Sequence, residues 1–165
     1  MSIARFLRVS EDQYALDQQL PDALPLSEIP LPRRATAGSA GYDFVCPADI
    51  TLHPGDAITI PTGVRCQMQP GWVLMLFPRS GLGFRHQIRL ANTVGVIDSD
   101  YFHAANEGHI MVRLVCSMSP CSMDSHDVTI KKGERFCQGV FLPHGLAEEE
   151  EVLTDRAGGF GSTGN

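Results

Sequence analysis

An all-β fold is the class this sequence predicts, and three observations predict it. The 165 residues include 16 glycines and 11 prolines, spread along the chain rather than clustered. That usage argues against a helical bundle and for short strands joined by tight turns. From Ala40 onward, short β-prone runs recur at a spacing of roughly ten residues, separated by Pro and Gly pairs. Hydrophobic residues make up 43% and charged residues 19%, the balance of one globular domain able to bury its own core. About ten strands leave a sandwich, a barrel or a jelly roll open.

The first 32 residues read differently from the rest. Residues 3–9 (IARFLRV) alternate imperfectly between apolar and polar and predict a short edge strand. Ser10 followed by Gln13 forms a capping box and predicts a short helix over about residues 11–20. Pro21, Pro25, Pro30 and Pro32 then forbid regular structure, which makes an extended connector. Strands are predicted over residues 49–52, 57–60, 63–68 and 72–77, turning at Pro54-Gly55, Pro61-Thr62 and Pro70-Gly71. The run 72–77 (WVLMLF) is apolar throughout, which predicts burial on both faces. Later strands are predicted over 110–116, 128–130 and 134–142, the last two joined by Lys131-Lys132-Gly133. The acidic run 148–151 reads as a solvated face.

A net charge of −6 excludes a general nucleic-acid-binding surface, because phosphate-backbone affinity needs an excess of Lys and Arg. No apolar run approaches the ~20 residues that span a bilayer. No basic region followed by an apolar stretch opens the chain, so a cytoplasmic protein is expected. The five cysteines (46, 66, 116, 121 and 137) are scattered without a C-x-x-C and read as reduced, partly buried thiols. The six histidines lack metal-ligand spacing and read as surface or structural groups.

Three segments interrupt the β pattern with Gly, Ser, Arg and Asp. Residues 78–83 (PRSGLG) follow the apolar strand. Their glycines admit an anion to the backbone, Ser supplies donors, and Arg a forked cation; a plain strand-ending turn would look similar. Residues 92–101 (NTVGVIDSDY) place Asp98 and Asp100 on one face of an extended segment, beside Tyr101. A carboxylate next to a ring at a strand end suits a water-activating base beside a stacking platform, or an acidic turn. Residues 156–165 (RAGGFGSTGN) are too glycine-rich for an ordinary terminal strand. Their Arg, single ring and Ser-Thr pair suit a lid over an anionic ligand that carries a ring.

Taken in order, Ala40-Gly41-Tyr42-Asp43, residues 78–83, residues 92–101, Arg135-Phe136-Cys137-Gln138-Gly139 and residues 158–164 resemble the five blocks of the trimeric dUTP diphosphatase (dUTPase) family. The resemblance runs from about Leu31 to the end. It implies a distorted jelly-roll protomer (a β-clip, dUTPase-like domain) over residues 33–154. Residues 1–32 form a strand–helix extension and residues 155–165 a flexible C-terminal arm. It further implies a homotrimer whose active sites are shared between subunits, and hydrolysis of dUTP to dUMP and diphosphate with Mg²⁺ held by the triphosphate.

The resemblance also implies roles. Asp98 matches the carboxylate that deprotonates the water attacking the α-phosphorus, and Tyr101 the ring beneath the sugar that leaves no room for a 2′-OH. Asn92, Gly95 and the backbone of Val96, Ile97 and Met111 match a hairpin that reads uracil. Arg79, Ser80 and Gly81 match a phosphate cradle, and Arg135 and Arg156 phosphate-binding arginines. Asp43 and Gln138 match residues that hold waters around the metal, Gln138 standing in the catalytic set with Asp98 and Arg135. Phe160 matches a ring that stacks on uracil, with Gly161, Ser162 and Thr163 gripping the γ-phosphate. A deaminase on the same scaffold would need a Glu near the cradle, where Phe84 and its neighbours stand instead. Two departures stand out: residues 102–107 are inserted after Tyr101 and should bulge from the hairpin, and Arg156 lies four residues before Phe160 where five is common.

Overall fold

A computed structural model of the chain describes residues 2–148. Among them the first half forms β1 (Ala4–Arg8), α1 (Glu11–Asp17), β2 (Arg33–Arg34), β3 (Tyr42–Val45), β4 (Ile50–Leu52), β5 (Ala57–Pro61), β6 (Val64–Met68) and β7 (Trp72–Pro78). There follow α2 (Ser80–His86), β8 (Ile88–Leu90), β9 (Gly95–Ile97), β10 (Met111–Cys116), β11 (Val128–Ile130) and β12 (Arg135–Pro143). Short 3-10 turns lie at Leu26–Glu28 and Ser99–His103.

The strands build small antiparallel sheets of order β2-β3-β12-β7-β9, β5-β10-β8, β1-β6 and β11-β4. Partners distant in sequence sit side by side, as β3 does with β12 and β5 with β10. The chain therefore crosses repeatedly between layers, and the all-β, distorted jelly-roll expectation is met. Phe44, Leu52, Ile60, Leu74, Ile88, Leu114, Ile130 and Phe136 fill the space between the sheets and are almost fully buried. Cys46, Cys66, Cys116 and Cys137 belong to this core as unpaired thiols, while Cys121 is exposed. Burial pushes the Cys66 and Cys137 thiols up to about 12, so they stay protonated and pack as small apolar groups.

The N-terminal extension docks on the sheets. Its strand β1 pairs antiparallel with β6 from Ala4↔Met68 to Arg8↔Val64. Phe6 stands among Tyr42, Phe44 and Phe141, with ring centroids 5.4–5.8 Å away. Val9, Tyr14, Leu26 and Ile29 form a second apolar cluster under α1. Ser10 accepts the Gln13 N–H at 3.1 Å, as the capping box predicts, but the reciprocal arm comes from elsewhere. Glu107 takes the Ser10 N–H and hydroxyl at 2.8 and 2.7 Å. Gln13 is free for that reason to donate to Asp17 at 2.7 Å.

Several elements differ from expectation for local reasons. The helix stops at Asp17, not near residue 20, because the Gln18 amide donates to the Tyr14 hydroxyl and its oxygen accepts the Leu20 N–H. The connector is not wholly extended, since Pro25 leads into a single 3-10 turn with Leu26 as its buried anchor. The segment after Arg79 is a helix, α2, held by buried Leu82 despite two glycines, a case of tertiary packing overriding propensity. The three-residue strand β8 was not expected; Ile88 and Leu90 point inward and Arg89 outward, opposite β10. Strand β7 is fully buried on one face only: Leu74 and Leu76 are in the core, whereas Val73, Met75 and Phe77 are half-buried.

His109 closes the joint between extension and body with no exposed side-chain surface. Its Nε2 accepts the Gly63 N–H at 2.8 Å, so the proton sits on Nδ1 and is donated to Asp17 at 2.6 Å. Burial pushes His109 below the ordinary histidine value, against the opposing pull of Asp17 and Glu107, and the Tyr14 ring packs beside it. The native chain thus resists a proton that the unfolded chain accepts. The resulting stability is complete above the unfolded value of ~6.5 and lost as pH falls through the lower folded value. The urea midpoint, followed by the fluorescence of the single tryptophan, Trp72, should fall on acidification from about pH 7.5 to about pH 5, and His109→Gln should flatten that fall.

Candidate active site

The five-stranded sheet carries most of the residues the sequence singles out. Asp43 lies in β3, Arg135 and Gln138 in the adjacent β12, and Arg79 just beyond the end of β7. Strand pairing sets Gln138 opposite Asp43 and beside Phe77. A bulge between Arg135 and Cys137 interrupts the ladder where β12 begins. Arg33, which sequence reasoning did not single out, is opposite Asp43 in β2. Gly41 makes room for Gln138, since a Cβ there would collide with its amide oxygen.

Asp43 is the centre of this group. Its side chain is 6% exposed, and a carboxylate so buried requires charged partners. Arg79 Nη1 donates to one carboxylate oxygen, and Arg135 Nη1 donates to the other at 3.2 Å. The arginines are 31% and 50% exposed, so each is fixed at its inner edge and open at its outer one. Each Asp43 oxygen thus accepts one guanidinium N–H, a pairing the motif spacing did not foretell. The pair leaves one net positive charge on the sheet end. Ser80 and Gly81, the first residues of α2, are exposed beside it.

The second group lies on β9 and the turn after it. Gly95 faces Leu76 across the β7–β9 ladder, and a Cβ at Gly95 would sit 2.9 Å from that of Leu76, so only glycine lets the strands close. Val96 is exposed and Ile97 half-buried. Asn92 is exposed in the tight turn before them, its carbonyl accepting the Val94 N–H at 2.7 Å. Asp98 directly follows β9, half-buried, and caps the 3-10 turn in which Tyr101 stands 5% exposed. The Tyr101 hydroxyl donates to the His109 carbonyl at 2.9 Å and accepts from Asn106 Nδ2 at 2.9 Å.

The expected uracil-reading hairpin is not a hydrogen-bonded one. Strand β9 pairs with β7, whereas β10, which begins at Met111, pairs with β5 and β8. Nor do residues 102–107 bulge outward. Phe102 lies under the Arg65 guanidinium at 3.8 Å, Arg65 also donates to the Phe102 carbonyl at 2.6 Å, and Glu107 caps α1. Nothing in the motif spacing revealed Asp17, Arg65, Asn106 or Glu107 as support; the Ser10–Gln13 pairing was foreseeable, the capture of Ser10 by Glu107 was not.

One chain does not unite the two groups. Ile97 is opposite Leu74 on β7, five residues from Arg79. At ~3.3 Å per residue, Asp98 is separated from Arg79 by roughly 15–20 Å along the sheet. Arg156, Phe160, Gly161, Ser162 and Thr163 lie outside the described residues. Among the described residues no three His, Cys, Asp or Glu side chains converge as a metal cage. The oxygens of Asp43 and Gln138 are hard donors of the kind that can bond the waters of a hydrated divalent ion.

The family model for dUTPase matches residues 27–164. The chain belongs to the dUTPase family. A deoxyuridine 5′-triphosphate nucleotidohydrolase of Lactococcus lactis is 40% identical over 139 residues, spanning 82% of this chain and 89% of the relative. Its counterpart in Hahella chejuensis is 43% identical over 146 residues, 84% of this chain and 89% of the relative. Among solved structures, the dUTPase of Streptococcus mutans is 33% identical, covers 87% of this chain and 98% of its own, and superposes with a TM-score of 0.65. A Staphylococcus bacteriophage 80alpha dUTPase, 19% identical over 93% of this chain and 98% of its own, shares the fold with a TM-score of 0.67.

For this dUTPase-family chain, Asp43→Asn removes the charge that braces both arginines but keeps the side-chain volume. It should lower stability by about 1–3 kcal/mol, read from the urea midpoint, without unfolding the protein, because the outer faces of Arg79 and Arg135 remain hydrated.

Proposed function

We propose that this chain hydrolyses dUTP to dUMP and diphosphate. The observation that carries the reading is the Arg79–Asp43–Arg135 brace, two half-exposed guanidinium groups fixed side by side in a chain of net charge −6. Such a pair selects a polyphosphate over a nucleic-acid backbone, because its forks are set for one compact anion. The relatives in Lactococcus lactis and Hahella chejuensis are deoxyuridine 5′-triphosphate nucleotidohydrolases, and the bacteriophage 80alpha structure holds dUpNHpp.

In this reading Asp98 takes a proton from water as the water oxygen bonds to the α-phosphorus. The bond from that phosphorus to the bridging oxygen breaks, and diphosphate leaves with the bond's electrons. Arg79, Arg135 and Arg156 neutralise charge that grows on the phosphates. Ser80 and Gly81 contact the phosphates, while Asn92, Gly95, Val96, Ile97 and Met111 border the base and Tyr101 floors the sugar. Gly161, Ser162 and Thr163 belong with Phe160 to the arm that covers the nucleotide. Asp43 and Gln138 would hold, through water, a Mg²⁺ that offsets the charge of the triphosphate.

The separation of Asp98 from Arg79 supports a site completed by other copies of the chain, and a homotrimer with shared sites is the assembly that meets this need. The domain division that accompanies this reading is an extension at 1–32, a β domain at 33–154 and an arm at 155–165. Among the described residues no helix is long and apolar enough to cross a membrane, and the four buried free thiols suit the reducing cytoplasm.

Asp98→Asn should retain dUTP binding by calorimetry yet lose about 10³-fold or more in diphosphate release, since the amide accepts no proton. Undiminished turnover in that variant would reassign the base. Wild-type protein assayed on dUTP, dTTP, dCTP and UTP should release diphosphate from dUTP alone at an appreciable rate.

A further inference from the structure

The insertion after Tyr101 and the N-terminal extension grip each other directly beside Tyr101. Asn106 Nδ2 donates to the Tyr101 hydroxyl, and Asn106 Oδ1 accepts the Gly108 N–H at 3.2 Å. Gly108 has φ +70° and packs so tightly that a Cβ there would meet the Tyr101 carbonyl at 2.5 Å and Phe102 Cα at 2.8 Å. Glu107 is held in the left-handed region at φ +58°, a costly setting for a residue with a side chain. Its carboxylate is bound by Ser10 and stands 3.6 Å from Arg65. His109, whose carbonyl accepts the Tyr101 O–H, is tied through its ring to Asp17 of α1.

We infer that Asn106 is a positioning residue for Tyr101, and that α1, through Ser10 and Asp17, locks the turn on which Asn106 stands, so that the pair sets selection of deoxyribose over ribose. The inference rests on the proposed reaction and on Tyr101 as the floor beneath the sugar. A ring that excludes one additional hydroxyl does so only if it cannot retreat. Tyr101 is suited to this: it is nearly buried, both bonding directions of its hydroxyl are occupied, and the following turn is packed against its own carbonyl. Loosening the turn gives the floor room to yield to a 2′-OH, while Asp98, which directly follows β9, is anchored by that strand's ladder to β7, and Arg79 and Arg135 keep their bonds to Asp43.

The test is the ratio of kcat/KM for dUTP to that for UTP, measured on the full chain. Asn106→Ala should cut this ratio about 10-fold or more while dUTP kcat changes by less than about 3-fold, because the loss is of discrimination and not of chemistry. Tyr101→Phe, which keeps the ring and removes the hydroxyl, should lower the same ratio, with no constancy of dUTP kcat required of it. The double variant should be no worse than either alone, as for two partners in one interaction. Asp17→Ala should move the ratio in the same direction and Asp17→Asn, which still accepts from His109, should restore it. Should Asn106→Ala fail to fold, the Tyr101→Phe and Asp17 pairs read the same quantity. An unchanged ratio in these variants, or equal losses on both nucleotides, would overturn the inference while wild-type hydrolysis of dUTP leaves the proposed reaction standing. A wild-type chain inert toward dUTP would overturn both.

Discussion

A single buried carboxylate holds the functional end of the main sheet together. Asp43 belongs to β3, Arg135 to β12 and Arg79 to the exit of β7, three strands that are neighbours in space and distant in sequence. Its burial makes the two guanidinium bonds obligatory, because an unpaired carboxylate at that depth is too costly to keep charged. The bonds in turn fix where each arginine points before any ligand arrives. Preorganisation of this kind is what makes a cation useful to a transition state, since no reorganisation remains to be done at the moment of reaction.

The second organising feature is the mutual support of extension and insertion. The turn around Tyr101 carries one left-handed glutamate, one glycine with no room for a side chain and a buried neutral histidine. Each is unfavourable or demanding alone. The two with side chains are satisfied by groups distant in sequence: Ser10 and Arg65 for Glu107, Asp17 and the Gly63 N–H for His109. Conformations of this sort persist only where the surroundings over-determine them, and they gather at functional sites.

Much of this was readable in the chain itself. Alternation and Pro-Gly punctuation located β4, β5, β6, β10 and β11 to within a residue, because in those strands one face is core and the other solvent. In β7 every position is apolar, so periodicity could not tell the core face of Leu74 and Leu76 from the half-buried one. The helix α2 was hidden by Gly81 and Gly83, which speak for a turn unless one knows that Leu82 is captured by the core. The charged motifs named Asp43, Arg79 and Arg135 but not their mutual bonds, since pairing across strands depends on register. Asp17 with His109, and Ser10 with Glu107, were beyond reach for the same reason.

The contacts of α1 also carry a consequence for the order in which the chain can fold. Ser10 and Glu107 are 97 residues apart, and Asp17 and His109 are 92 apart. Seven helical residues are too few to be stable in water alone, so α1 depends on those partners. During synthesis α1 emerges before the turn around residue 109, so it can meet Leu26 and Ile29 early but gains its bonds to Glu107 and His109 only once that turn has left the ribosome. A segment made early is thus fully secured only late, and the turn beside Tyr101 is completed in the same event.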